Sequence, residues 1–403
     1  MKKSICAFLA AIMSISVLAA CNSTSDRDNK PATSDQGASS ASETVSTEVS
    51  EMSEDETKPY GWDLPIRDMN GREFRILCRD YAAGSTSIVG YNGEVIQRPD
   101  FDEETADMVD IEKYRVRKDI EDRYNCYIEG EFSSAAQGDF NNIVKNCVLS
   151  GEPHYDMVFD AYGFMYTIVT ENIYADIASI DSIDLSNPWW DQNAVRDLSI
   201  CDKLYFACGD INTYDNDGTW VIYYNKELAA KVLPGVDFYK LVKDNEWTFD
   251  KFVQIVRMVS SDTDGVDGMS EFDTWGLGTE SYNAFVHMLA SGQKIVQKDA
   301  DDVPYLDFQT ERMYSVMDDI MTFYSDTDNV LLANRFEGKY ANIWEETIIK
   351  AFREGRELFY MGGLINIVGY RTLDFNFGVL PIPKHTAEQD NYYHSVSMHN
   401  MSC

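Results

Sequence analysis

Residues 72–80 read REFRILCRD, an apolar run that predicts a buried β-strand. The stretch DIEKYRVRKDIEDRY at 110–124 has apolar residues every four positions, which predicts a helix. CYIEGEF at 126–132 predicts a second strand, GDFNNIVKNCVLSG at 138–151 a second helix, and YDMVFD at 155–160 a third strand. Strands that alternate with helices predict an α/β fold with a mostly parallel sheet covered by helices.

Polar and aromatic residues follow the first and third of these strands. Asp80 and Tyr81 come after the first strand, and Asp160 and Tyr162 after the third. Because ligands of open α/β sheets bind beyond the carboxyl ends of the strands, we expect these four side chains near a ligand.

A second unit follows after residue 212. TWVIYYNKELAAK at 219–231 predicts a strand that continues into a helix. WTFDKFVQIVRMV at 247–259 predicts a helix with Thr248 as its N-cap and Asp250 in its first turn, where a carboxylate favours the helix dipole. FNFGVLPIPK at 375–384 predicts a closing strand ended by prolines.

The N-terminal segment predicts export. Residues 1–20 combine two lysines with an apolar run shorter than the roughly 20 residues that cross a bilayer, which is typical of a signal peptide. The sequence LAAC that ends at Cys21 resembles the lipobox of bacterial lipoproteins, which implies a lipid-modified cysteine. The alternative is an ordinary secreted protein. Residues 21–58 are rich in Ser, Thr and acidic residues, which predicts a disordered tether.

Composition limits the partners. The chain holds 34 basic and 68 acidic residues, so its formal net charge is −34. Nucleic acid is excluded as a partner, because its binding depends on clusters of Lys and Arg. The cysteines show no CxxC spacing, which argues against a zinc site, while Cys78 and Cys126 fall in or beside two predicted strands and could form a disulfide.

Four segments carry a resemblance to a known family. They are CDKLYFACGD at 201–210 with the TWVIYYNKELAAK stretch, WTFDKFVQIVRMVSSDTDGVDGMSEFDTWGL at 247–277, AFREGRELFYMGG at 351–363, and FGVLPIPK at 377–384. In this order, behind a lipobox, they resemble the extracellular solute-binding proteins of ATP-driven (ABC) importers, of the sugar-binding type related to maltose-binding proteins. The resemblance covers roughly residues 61–395.

This resemblance implies an architecture and a function. It implies a type II periplasmic-binding-protein-like fold with two lobes around a cleft, each a mixed sheet flanked by helices, joined by a hinge. Lobe 1 is expected at 59–212 and lobe 2 at 213–378, with a return to lobe 1 at 379–403. The protein is then a monomer without cofactor or catalysis, anchored by lipid to the outer face of the bacterial cytoplasmic membrane, which delivers a sugar to an ABC permease.

The resemblance also implies ligand-binding positions. It supports Asp80, Tyr81, Asp160 and Tyr162, and it adds a second set of residues from lobe 2. The added residues are Asp217, Trp220, Glu280, Tyr282, Gly363 and Asn366. Sugar rings pack on aromatic faces and sugar hydroxyls bind carboxylates and amides, so these residue types suit a carbohydrate.

Several alternatives stay open. The family continues for about a hundred residues beyond the closing strand, so we expect this chain to be truncated. An envelope-anchored, glycan-active enzyme would need two carboxylates about 5 to 9.5 Å apart, and the WEE at 344–346 is interpreted as a solvated helix start instead. A third alternative is a binding subunit for a membrane sensor. Asp262, Asp264 and Asp267 form a weak calcium candidate whose alternative is a polar turn.

Overall fold

The structure is a computed structural model, and it shows an α/β protein with two main sheets. Among the residues it describes, no helix combines the length and the apolar character needed to cross a membrane. The described residues are 65–79, 96–97, 101–106, 108–152, 154–211 and 214–397.

The first sheet has three parallel strands in the order β2-β1-β3. Its central strand is buried from Ile76 to Cys78, as the apolar run predicts. Two helices connect the strands, which confirms the predicted alternation of strand and helix. The elements are β1 Arg72–Arg79, α1 Met108–Tyr124, β2 Cys126–Ser133, α2 Gln137–Leu149 and β3 Met157–Phe159.

Short helices link this sheet to the second unit. They pack Tyr162, Leu198 and Phe206 into a small core of their own. The helices are α3 Tyr162–Met165, α4 Gln192–Leu198 and α5 Tyr214–Asp217, with 3-10 turns at Tyr166–Glu171 and Ile177–Ser179.

The second sheet has five strands in the order β10-β4-β9-β5-β8 and is mixed. Strands β5, β8 and β9 are parallel to one another, whereas β4 is antiparallel to both of its neighbours. A separate hairpin pairs β6 with β7. The strands are β4 Trp220–Asn225, β5 Trp275–Thr279, β6 Val296–Lys298, β7 Pro304–Leu306, β8 Val330–Leu332, β9 Glu357–Gly363 and β10 Phe377–Leu380.

Helices cover both faces of this sheet. They surround the largest core, in which Trp247 is fully buried and donates from Nε1 to the carbonyl oxygen of Pro381 at 2.8 Å. The helices are α6 Lys226–Val232, α7 Phe238–Lys243, α8 Phe249–Val259, α9 Tyr282–Ala290, α10 Glu311–Tyr324, α11 Lys350–Arg353 and α12 Ile367–Tyr370, with a π-helix at Glu345–Ile349 and 3-10 turns at Ala333–Phe336 and Leu364–Asn366.

The predicted start of α8 is confirmed. The hydroxyl of Thr248 accepts a hydrogen bond from the backbone N–H of Lys251 at 3.3 Å, and Asp250 lies in the first turn. Phe252, Val256 and the other apolar positions of the helix face the sheet and are buried. The cap and the apolar stripe therefore act together, as the sequence pattern indicates.

The structure does not contain the disulfide that the sequence leaves possible between Cys78 and Cys126. Both cysteines are free, although they lie on the neighbouring strands β1 and β2. Cys78 stands opposite Phe132, whereas Cys126 stands opposite Arg72. Six positions along a strand separate the two thiols by roughly 20 Å, far beyond the reach of a disulfide.

The segment after β10 contacts both units. Lys384 lies beside the start of α8, and Gln389 donates from Nε2 to the carbonyl oxygen of Ala290 at 2.8 Å. The carbonyl oxygen of Ser395 accepts a hydrogen bond from the backbone N–H of Trp220 at 2.9 Å. Val396 packs on the small core of the first unit. The expected return to lobe 1 at 379–403 stays a prediction.

Glu357 places a carboxyl group inside the second sheet. Its side chain is fully buried, and neither oxygen has a hydrogen-bond partner among the described residues. It lies against Gly278 on β5, where any side chain would collide with it. Burial raises the pKa of Glu357 well above its ordinary value, against the opposing effect of the nearby Arg356.

We expect Glu357→Leu to raise the free energy of unfolding at pH 7 by about 1–3 kcal/mol, because it removes a buried polar group without a partner. The gain should shrink towards pH 5, since an acid with a raised folded-state pKa destabilises the fold as pH rises. Urea unfolding at both pH values measures this. Glu129→Leu, at an exposed site on β2, is the matched control, and an equal gain there would contradict the explanation.

Candidate functional site

One edge of the second sheet brings together most of the residues predicted in lobe 2. Strands β5 and β9 are parallel, so both end at this edge, and the antiparallel β4 begins there. Trp220 at the start of β4 pairs with Gly363 at the end of β9. Glu280 directly follows β5, and Asn366 closes the turn after β9. This edge is where ligands of α/β sheets bind.

Glu280 is the carboxylate at the centre of this edge. Its Oε2 accepts a hydrogen bond from Nε1 of Trp344 at 2.8 Å. Burial raises the pKa of Glu280, and the hydrogen bond from Trp344 opposes that rise. The indole ring of Trp344 remains 43% exposed. The pair therefore offers an acceptor and an accessible aromatic face next to each other.

Trp344 lies at the candidate site through its hydrogen bond to Glu280, and the sequence interpretation does not place it there. The WEE stretch at 344–346 does lie at an exposed helix start, as the sequence indicates, and a π-helix begins directly after Trp344, at Glu345. The wider turn of a π-helix changes the direction of neighbouring side chains, and such turns are frequent at functional sites. The available signal was a tryptophan beside a turn, without any pattern that ties it to Glu280.

Trp220 and Tyr282 form the second aromatic pair of the edge. Their ring centroids are 5.8 Å apart with the planes tilted by 42°. Burial, assisted by the nearby Glu280, raises the pKa of Tyr282 to about 12, so its phenol is neutral at physiological pH. Nε1 of Trp220 is buried and has no hydrogen-bond partner among the described residues. That N–H is a donor that a ligand or water would satisfy.

The turn after β9 is held from the neighbouring strand. The hydroxyl of Tyr223 donates a shared hydrogen bond to the carbonyl oxygens of Gly363 and Leu364, each 2.9 Å away. A Cβ atom at Gly362 would lie only 2.5 Å from Nδ2 of Asn366. The glycine thus lets the amide of Asn366 fold back over the strand end, at the edge that carries Glu280.

Asp217 lies three residues before Trp220, at the end of α5, and is half-buried. Its charge helps to keep the pKa of Tyr223 above its ordinary value, behind the larger effect of burial. Asp217 is therefore near the same edge. Its contact with a ligand stays a prediction.

The residues predicted in lobe 1 have a different setting. Asp160 is fully buried, 3.5 Å from the guanidinium of Arg79, and also accepts from the backbone N–H of Ala161 at 2.7 Å. Tyr162 is buried against the ring of Phe206, with centroids 5.2 Å apart. Both follow β3 as expected, but these contacts lie within the first unit, and their ligand roles stay predictions.

Three further predicted positions are not covered. Asp80, Tyr81 and the lipidation site Cys21 lie outside the described residues. Their roles therefore remain expectations from the sequence.

The acids that cluster at the calcium candidate differ in part from those predicted from the sequence. Carboxylate oxygens of Asp262, Asp264 and Asp273 lie within 4.8 Å of one another, and Asp267 is not in this group. Asp273 accepts hydrogen bonds from three backbone N–H groups of the loop at 2.6 to 2.9 Å. Burial would raise its pKa, but these bonds outweigh burial and lower it. The loop is thus organised by its own backbone, and a calcium role stays a prediction.

Comparisons with known proteins give structural matches alone. No protein-family model matches the chain, and no curated protein matches it. The structure is similar to the ABC substrate-binding protein Lmo0181 from Listeria monocytogenes in complex with cycloalternan, at 12% identity, with 78% of this chain and 67% of that chain covered and a TM-score of 0.46.

Two further matches are the maltose-binding periplasmic protein MalE from Listeria monocytogenes in complex with maltose and the GacH receptor of Streptomyces glaucescens, solved unliganded and with acarbose. MalE is 14% identical, with 82% of this chain and 71% of that chain covered and a TM-score of 0.48. GacH is 13% identical, with 81% and 71% covered and a TM-score of 0.46. What this chain binds therefore has to follow from its own side chains.

Proposed function

We propose that this protein is a carbohydrate-binding subunit of an ABC importer, and that the ligand binds at the edge formed by Trp220, Glu280, Tyr282, Trp344 and Asn366. The observation that carries the proposal is the hydrogen-bonded pair of Glu280 and Trp344 beside the rings of Trp220 and Tyr282. Aromatic faces next to a held carboxylate are what a sugar needs, because its C–H faces pack on rings while its hydroxyls require acceptors.

The polar atoms of the edge suit hydroxyl groups. Glu280 supplies carboxyl oxygens as acceptors, and a charged acceptor forms stronger hydrogen bonds than a neutral one. Asn366 offers a donor and an acceptor, and the N–H of Trp220 is a donor without a partner among the described residues. A neutral, hydroxyl-rich ligand can satisfy all three, whereas an anion would face the charge of Glu280.

The proposal extends to the location and mode of action. A lipid on Cys21 and the tether at 21–58 would hold the protein at the outer face of the cytoplasmic membrane, where a permease receives the ligand. Lobes at 59–212 and 213–378 would close on the ligand, because only the closed state lets both lobes contact it. The protein performs no chemistry in this scheme.

Titration calorimetry of the full chain in detergent against mono- and oligosaccharides tests the proposal. We expect one carbohydrate class to bind, and Trp220→Ala or Tyr282→Ala to weaken its binding about tenfold, since each removes a ring that packs on the sugar. Tyr314→Ala, at an exposed tyrosine on α10, is the matched control. No binding by any carbohydrate, or unaltered affinity in both variants with an intact fold, would contradict the assignment.

Two other functions are separated by simple observations. Incubation with glycans that yields shortened products would favour the envelope-anchored enzyme, whose second carboxylate would then have to lie within about 9.5 Å of Glu280. Neighbouring genes for a permease favour import, whereas a neighbouring sensor kinase gene favours a sensor partner.

A further inference from the structure

A cavity of about 300 Å³ lies between the two units, separate from the sugar-binding edge. One wall comes from residues 162–206 of the first unit and the other from residues 285–304 of the second. None of Trp220, Glu280, Tyr282 and Trp344 lines it. Its walls are mainly aromatic and aliphatic, with Tyr162, Tyr166, Tyr205, Phe206, Phe285 and Leu289 among them.

The charged groups that line this cavity are Arg196, Asp197, Lys294 and Lys298, and each is in an ion pair. Asp197 lies 2.8 Å from Nε of Arg196 and 3.2 Å from Nζ of Lys294. Lys298 lies 2.8 Å from Asp302 and donates to the hydroxyl of Ser199 at 2.7 Å. Each cation thus has a carboxylate partner, and an ionic ligand would have to displace one of these pairs.

These pairs persist at neutral pH. Burial acts to raise the pKa of Asp197, but Arg196 and Lys294 outweigh it and lower the pKa. The pKa of Asp302 is lowered in the same way, because burial is outweighed by Lys298 and by hydrogen bonds from the turn at 199–202. Both carboxylates therefore stay ionised, and each of the three cations keeps a carboxylate neighbour, with Asp197 shared by Arg196 and Lys294.

We propose that this cavity is a second ligand site, which takes a neutral small molecule with one or two apolar rings. Its volume is twice the roughly 150 Å³ of an apolar cavity that accepts benzene, so a fused pair of rings fits. Aromatic walls favour a flat ring, and the hydroxyls of the lining tyrosines provide partners for one uncharged polar group. This site does not depend on the proposed carbohydrate function.

The cavity is linked to the sugar-binding edge through α9. Phe285 in the cavity wall is one turn after Tyr282, and their ring centroids are 6.2 Å apart. The same helix thus presents one aromatic residue to each site. Binding to the cavity can be measured without any sugar present.

Saturation-transfer NMR with three probes of equal size tests the ligand class. The probes are neutral 2-naphthylmethanol, cationic 2-naphthylmethylamine and anionic 2-naphthoate, titrated into the full chain in detergent at pH 7. We expect saturable binding of the neutral probe and at least tenfold weaker binding of both charged probes. Equal affinity for all three, tighter binding of a charged probe, or no saturable binding would overturn the proposal.

Substitutions place the probe in the cavity. Val169→Trp fills the space from the wall and should weaken 2-naphthylmethanol binding at least tenfold. Val148→Trp, at an exposed valine on α2, is the matched control and should leave the affinity unchanged. Phe285→Leu removes one ring of the wall and should weaken binding about three- to tenfold, which keeps the test decisive if Val169→Trp does not fold. Wild-type affinity in a folded wall variant would overturn the assignment.

Discussion

Replacing Glu280 with glutamine should lower the affinity for the carbohydrate about 10- to 100-fold, the largest effect expected of any single change at the binding edge. The carboxylate makes hydrogen bonds to ligand hydroxyls that are worth about 1.5–3 kcal/mol when one partner is charged. Glutamine keeps the size of the side chain but loses the charge, and its amide can point N–H groups at the indole of Trp344. Calorimetric titration measures the loss.

The stability of the Glu280→Gln variant separates a binding effect from misfolding. Because burial raises the pKa of Glu280, removing the charge should leave the free energy of unfolding unchanged or slightly higher. Glu346→Gln, at an exposed glutamate two residues after Trp344, is the matched control and should bind like the wild type. Full affinity in Glu280→Gln would remove this carboxylate from the site and with it the main support for the carbohydrate proposal.

Between pH 7 and pH 4, the free energy of unfolding should fall by roughly 3 kcal/mol less in the His287→Leu variant than in the wild type. The imidazole is fully buried on α9, with the rings of Phe249, Phe252 and Tyr324 within 5.9 Å of it by centroid distance. Neither ring nitrogen has a hydrogen-bond partner among the described residues. Burial, with a smaller effect of His385, lowers its pKa from 6.5 to about 3.

The sign of this pH dependence follows from where the proton binds. Between pH 6.5 and pH 3 the imidazole is protonated in the unfolded chain and neutral in the folded one, so acid favours unfolding by about 1.4 kcal/mol per pH unit. Other acid-sensitive groups are the same in both proteins. The difference between wild type and His287→Leu therefore isolates this group.

Urea unfolding at pH 7, pH 5.5 and pH 4 measures this difference. His154→Leu, at an exposed histidine, is the matched control and should follow the wild-type profile. Parallel profiles for wild type and His287→Leu would show that water or a structural change lets His287 accept a proton within the fold.

Much of the fold could be predicted from the sequence, because its main signals are local. The spacing of apolar residues predicts the helices α1 and α2, although Val116 and Ile120 of α1 are exposed rather than packed on the sheet. Thr248 marks the start of α8 through a contact three residues away. Register between strands is not local. The pairing of Cys78 with Phe132 depends on the whole first sheet, and for that reason the sequence leaves a disulfide open that the register rules out.

For the lobe 2 residues of the candidate site, the family resemblance supplies the expectation, and topology explains why they lie together. Trp220, Glu280, Gly363 and Asn366 meet because the strands that carry them end or begin at one edge of the second sheet. The burial of Asp160 was not predictable in this way, because it depends on the guanidinium of Arg79 from the neighbouring strand. Trp344 was missed since its position depends on a π-helix, which leaves no periodic signal in the sequence.

The hydrogen bond between Trp344 and Glu280 also gives the protein an internal optical probe. Indole emission responds to a charge and to a hydrogen-bond acceptor at its N–H, and here Glu280 is both, 2.8 Å away, while the ring is open to solvent quenchers. Whatever occupies or protonates that carboxylate changes the colour and the lifetime of the fluorescence from Trp344.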